Sequence, residues 1–279
     1  MNRETYLERL GAFRSSCHVY HCEKELSERL QKDNPMLIDQ LPEDPDSFRI
    51  GLSENLGRGD LELLQFLRKD IRFVDDTFQM IEQNYPDARE IIYEVYINHK
   101  GQEATALELG LTRNQVQYIS EKCLREVLGV SYPPVQRIST GFAGTAGEFK
   151  KECRDYFFYL GRIQELLREL DQTEYLRQDV TAISYIKIGQ NPQRKDKDPL
   201  RLLTSKERLQ AELDEQKDHV DQVIQVLRNI PFFSYSGMIW MLYVQNRSYS
   251  EVSKLYSLNK DNLGRQVSEQ FRRTIQGNE

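Results

Sequence analysis

Apolar residues recur at spacings of three and four through most of the chain, and that period predicts helices from one end to the other. From Tyr6 to about Gln31 the apolar positions are Leu7, Leu10, Phe13, Val19 or Tyr20, and Leu26, a moderately amphipathic helix without internal proline. The pattern breaks between 33 and 60 at Asn34-Pro35, Pro42-Glu-Asp-Pro45 and Gly57-Arg-Gly-Asp60. It returns strongly from Leu61, with Leu64, Leu67, Ile71, Val74, Phe78 and Ile81 on one face to be buried, and stops at Tyr85-Pro86-Asp87. Residues 129–147, rich in Gly, Pro and Thr, have no period and read as a linker. The second half repeats the plan. One helix carries Phe157 or Phe158, Leu160, Ile163, Leu166, Leu167 and Leu170, and a Gly/Pro/Lys-rich break spans 189–199. A second helix carries Leu209, Leu213, Val220, Val223 or Ile224, and Leu227, and Asn229-Ile-Pro231 ends it. The only stretch able to extend as a strand, and only briefly, is Ala182–Ile188.

Each half then closes on a segment of the same pattern, 147 residues apart and aligned without a gap. Ile92 pairs with Ile239, Tyr96 with Tyr243, Ile97 with Val244, Lys100 with Arg247, Leu111 with Leu258, and Val116 with Leu263. In the first copy Ile91, Ile92, Val95 and Tyr96 form the buried stripe of a leading helix, which Lys100-Gly101 is expected to end through a left-handed glycine. Gln102–Leu109 makes a short scaffold helix, Gly110 the tight turn, Leu111 a core plug, and Thr112 a cap for the helix from about Arg113 to Leu128. Val116, Ile119, Cys123 and Val127 should point inward. Arg113, Asn114, Gln117 and also Tyr118 are left on the outer side, where such side chains suit base edges and phosphates, and Lys122 and Arg125 are placed to touch the DNA backbone.

The second copy departs from this pattern. Ser257 stands where Gly110 does, so the turn must carry strain or take another form. Asn259 can cap, and Lys260, Asn262 and Arg265 can face outward, but Asp261 would repel phosphate. Val267, Phe271 and Ile275 continue the inward stripe if one residue is inserted after Leu263. The expected architecture is all-α: two related helical domains, 1–130 and 148–279, joined by a linker at 131–147. Each is a pair of long helices followed by a helix–turn–helix unit, at about 89–128 and 236–275.

The string Tyr85-Pro-Asp-Ala-Arg-Glu-Ile-Ile-Tyr, Tyr96-Ile, Gly101-Gln-Glu-Ala-Thr-Ala-Leu-Glu-Leu-Gly-Leu-Thr and Val116 resembles region 4 of sigma-70-type factors. It is closest to the small sigma-like regulators of phages and integrated elements, of the ArpU and RinA type. The stretch from Tyr156 to Ile275 resembles a related group of phage and Gram-positive proteins. The resemblance implies promoter recognition or transcriptional activation, with the last helix of the unit in the major groove of double-stranded DNA and RNA polymerase as a further partner. By position that role falls on Arg113, Asn114, Gln117 and Lys122, and in the second copy on Lys260, Asn262 and Arg265. No counterpart of sigma region 2 is present, so a complete initiation factor is not expected.

Composition adds limits. A net charge of −6, with 29% charged residues, argues against coating nucleic acid by bulk electrostatics, though not against a local reader. No apolar run approaches the roughly 20 residues that span a bilayer, and the polar start lacks a signal-peptide core, so the cytoplasm is expected. Cys17-His18-Val-Tyr-His21-Cys22 is a conspicuous cluster. Its i,i+4 pairs cannot surround one zinc ion from a single helix, so helix packing is the expectation and no metal or cofactor is assigned. Nucleophile-elbow, phosphate-loop and zinc-protease motifs are missing, and an enzyme is not expected. The competing reading is a helical protein-interaction module whose helix–turn–helix units do not touch DNA. Long apolar faces also leave room for a homodimer.

Overall fold

The computed structural model describes residues 3–44, 47–51, 58–131, 142, 144–186 and 199–276. The architecture is all-α, and among the described residues there is no strand. The first half runs α1 (Arg3–Asp33), α2 (Met36–Gln40), α3 (Asp60–Asn84), α4 (Pro86–Ile92), α5 (Gln102–Glu108) and α6 (Arg113–Ser131). The second runs α7 (Ala146–Ile186), α8 (Pro199–Arg228), α9 (Ser234–Ile239), α10 (Tyr249–Leu255) and α11 (Lys260–Gln276). α4 and α9 each continue into one π-helical turn, Tyr93–Ile97 and Trp240–Val244. Among the described residues no helix is long and apolar enough to cross a membrane.

Local chemistry sets the boundaries. Asp60 and Glu62 sit in the first turn of α3, where the helix dipole favours carboxylates. Pro86 cannot continue α3 but suits the start of α4, where its missing N–H and fixed φ cost nothing. Thr145 and Glu148 form a reciprocal cap at the start of α7. α7 is longer than the spacing of its leucines predicts and runs through Ile186, so 182–186 is helical and not extended. Residues 187–188, most of the expected linker at 131–147 and most of the break at 189–199 lie outside the described residues.

α7 and α8 form an antiparallel hairpin, as their cross-links show: Glu152 meets His219, Arg162 meets Glu212, and Glu174 meets Lys206. Leu160, Ile163 and Leu166 of α7 share one buried cluster with Leu213, Val220 and Val223 of α8. The same apolar cluster takes in Val19, Leu26 and Leu30 of α1 and Leu63, Leu64 and Leu67 of α3, so burial runs continuously across the two halves. Trp240 fixes this junction. Fully buried, it stands edge-on to Tyr156, and its Nε1–H donates to the Gly59 carbonyl at 2.9 Å. Gly59 has φ 75° and lies so close to the indole that an added Cβ would come within 2.9 Å of it. A second cluster, built on Phe13, Phe73, Ile81, Ile92, Leu124 and Leu128, holds α6 against α1, α3 and α4.

Candidate nucleic-acid interface

The two C-terminal segments of the halves share a set of backbone hydrogen bonds at the 147-residue offset. Asn98 and Gln245 close the π turn onto Tyr93 and Trp240, and Lys100 and Arg247 onto Glu94 and Met241. The backbone then turns left-handed at His99 (φ 54°) and at Asn246 (φ 57°). This corrects the expectation for Gly101, which is extended (φ −64°, ψ 145°) and begins α5. The π turn widens the coil by one residue, so the chain reverses at His99 before Gly101 is reached. In the second segment Ser248 occupies the place of Gly101 and forms a full capping box with Glu251.

The next turn is shared as well. Leu111 N–H donates to the Ala106 carbonyl and Leu258 N–H to that of Ser253, both at 2.8 Å. These six-to-one closures place Gly110 (φ 67°) and Ser257 (φ 52°) in the left-handed region. Ser257 therefore keeps the glycine turn and carries its strain. Thr112 and Gln115 cap α6 reciprocally: Gln115 N–H donates to Thr112 Oγ1, and Thr112 N–H to Gln115 Oε1. Asn259 Oδ1 accepts from the N–H groups of Asp261 and Asn262 at the start of α11.

The inserted residue expected after Leu263 is not needed. The inward stripe of α6 includes Ser120, Leu124 and Leu128, which correspond without a gap to Val267, Phe271 and Ile275. Ser120 hid this register because it is polar, although it is buried.

All eight sequence-selected candidates are exposed. On α6, Asn114, Gln117 and Arg125 share one face with Tyr118 and Glu121, since they recur at steps of three, four and seven residues. Arg113 and Lys122 flank that face. Several are already engaged within the chain. Arg113 pairs with Glu103 at 3.1 Å, Gln117 Nε2 donates to Glu121 at 2.9 Å, and the Arg125 guanidinium lies over the Tyr6 ring at 5.2 Å. On α11, Arg265 donates to Asn262 at 3.2 Å, and Asn262 also lines a cavity facing α1. Lys260 is exposed at the helix start. Arg272 and Arg273 both close on Glu269, whose carboxyl they pull down to about 2.

Glu103 and Glu121, which hold two of the candidates, were not singled out by sequence reasoning. For Glu121 the i,i+4 step from Gln117 was an available signal. α6 carries three basic and two acidic side chains and α11 four and two, so each has a small positive excess in an acidic chain. Two large apolar side chains also stand out here, Leu107 of α5 at 84% exposure and Tyr118 at 66%.

The Cys17–Cys22 cluster is dispersed by its helix. Cys17 faces the core, where burial and the nearby Asp70 push its thiol up, while His18 turns outward with its ring tilted against that of His99, centroids 4.8 Å apart. Among the described residues no three His, Cys, Asp or Glu side chains converge as a metal site. Comparison of the chain with protein-family models, curated proteins and solved structures finds no match.

Proposed function

We propose that the chain is a tandem helix–turn–helix protein that contacts duplex DNA, with α6 as the principal recognition helix and α11 as a weaker second. In this reading it is a cytoplasmic transcriptional regulator of the phage or mobile-element type, organised as two related helical domains. RNA polymerase and a second copy of the chain are its further partners. The observation that carries the reading is the recurrence, 147 residues apart, of one scaffold: π turn, left-handed residue, short helix, six-to-one turn, capped helix. That scaffold presents two helix starts bearing amide and cationic side chains, the groups that pair with base edges and phosphates. It also agrees with the resemblance to sigma region 4 at Tyr96, Gly101 to Thr112 and Val116.

The charge on α6 limits how tightly it would bind. Three phosphate contacts from Arg113, Lys122 and Arg125 correspond to a salt slope of about −2.7, or roughly 40-fold weaker binding at 200 mM than at 50 mM salt. A gel shift on the promoter DNA neighbouring the gene, run at both concentrations, tests this. Sequence-preferring binding that weakens by that order and is lost in the Arg113→Ala, Gln117→Ala double variant supports the reading. An absence of binding at about 50 mM salt rejects it.

A second reading, a protein-interaction module, is favoured by one feature of the same face. Tyr118 is exposed there while Arg113 and Gln117 are tied to carboxylates, a composition that suits a protein partner.

A further inference from the structure

Between the two repeated segments lies a cavity of about 640 Å³, within the range of small-molecule sites. Its walls come from α1, from the π turn and left-handed corner of the first segment, and from α9 and the start of α11 in the second. Of the sixteen residues that line it none is acidic, in a chain with 44 carboxylate side chains. Among its polar groups are the Arg14 guanidinium, the imidazoles of His18 and His99, and the side-chain amides of Asn262 and Gln266. Arg14 lies over the Tyr96 ring with Nη2 3.5 Å from the hydroxyl, and no carboxylate among the described residues pairs with it. Tyr96, Phe232, Tyr235 and Met238 supply an apolar floor.

The two repeated segments differ at this wall. The second segment places Tyr249 where the first has Gln102, and Tyr249 hydrogen-bonds to Tyr243, the counterpart of Tyr96. With Gln102 in that place, the Tyr96 hydroxyl faces the Arg14 guanidinium instead of a second tyrosine. The two copies thus diverge at the cavity wall while keeping the same backbone.

We infer that this cavity binds a small organic anion, its flat apolar body resting on Phe232 and Tyr235 and its acidic group held by Arg14 with His18 and His99. The amides of Asn262 and Gln266, one turn apart on α11, close the other side. Because the start of α11 is already capped by Asn259, the anion meets these side chains and not bare backbone N–H groups. The site stands independently of DNA binding, but its ligand bridges α1 and α11 and so fixes how the second segment sits against the first.

The test is a fluorescence titration of the full chain with two matched probes, 1-anilinonaphthalene-8-sulfonate and its uncharged counterpart N-phenyl-1-naphthylamine. The sulfonate is expected to bind saturably at one site per chain and more tightly than the neutral probe. Arg14→Met keeps the stem but removes the charge, and should weaken sulfonate binding about 10-fold or more while leaving the neutral probe unchanged. Gln266→Trp should block both probes. Arg14 and Gln266 are exposed, so both variants should fold, as far-UV circular dichroism will check. Equal affinity for the two probes, several equivalent sites, or sulfonate binding indifferent to both substitutions would overturn the assignment.

Discussion

Asp70→Asn should make the stability of the chain less dependent on pH, and the size of the change follows from one buried pair. Asp70 of α3 and Glu23 of α1 are almost wholly buried and hydrogen-bond to each other, with Ser16 donating to Asp70 and Tyr256 to Glu23. One oxygen of each carboxyl meets no donor from any other residue, so the pair needs a shared proton. Burial raises Asp70 from its ordinary 3.8 to about 6 and drives Glu23 up further by burial and by the Asp70 charge.

The folded value for Asp70 lies above the unfolded one, so the native chain holds the extra proton between roughly pH 4 and pH 6. Its contribution to stability is fully present below the unfolded value and is lost as pH rises through the folded value. A rise from 3.8 to about 6, at about 1.4 kcal/mol for each tenfold change in proton affinity, amounts to roughly 3 kcal/mol. Asparagine cannot titrate, and it relieves Glu23 in the same direction. The stability of the variant relative to the parent should therefore rise by about 3 kcal/mol between pH 4 and pH 7. Urea titrations read by Trp240 fluorescence are suited to the measurement, because Trp240 is the single tryptophan and is fully buried. A difference that stays flat across this range, or falls with pH, would show that Asp70 does not hold its proton through burial.

The two repeated turns give a matched pair of stability predictions. Gly110→Ala should cost about 1 kcal/mol, since a Cβ there meets nothing within 4 Å and the backbone strain acts alone; Ser257→Gly should gain roughly 0.5–1 kcal/mol, both read from the denaturation midpoint. Gly59→Ala combines a left-handed φ with a clash against the indole. It should cost roughly 2 kcal/mol or more and shift Trp240 emission to the red, and unchanged emission would separate Trp240 from the junction between the halves.

Much of this fold was legible because its signals are local. The face of α3 is a single stripe, Leu64 to Ile81, that only a helix can bury. Thr112 announces the start of α6 by a cap that needs no tertiary partner, although its reciprocal bond with Gln115 is seen only in the structure. The 147-residue offset was legible too, since apolar positions repeat even where side chains differ. What escaped depends on neighbours or on backbone choices that sequence marks weakly. His99 and Asn246 are both of types enriched in the left-handed region, but neither marks the turn as plainly as the glycine two residues after His99, where the sequence pattern places it. Glu23 and Asp70 look like surface carboxylates until α1, α3 and α10 meet around them. The pairing of Arg113 with Glu103 and the cavity built from residues between 11 and 266 likewise require the folded chain. Exposure of Asn114, Gln117 and Lys122 followed from period alone, but what they touch did not.

Whether α6 meets DNA or a protein can be read by placing the photo-crosslinking residue benzoylphenylalanine at position 114, with position 158 on exposed α7 as control. Irradiation in cells should give an adduct at 114 that nuclease removes, and none of that kind at 158. An adduct at 114 that resists nuclease and yields to protease would assign this face to a protein partner and leave α6 without a role as a DNA reader.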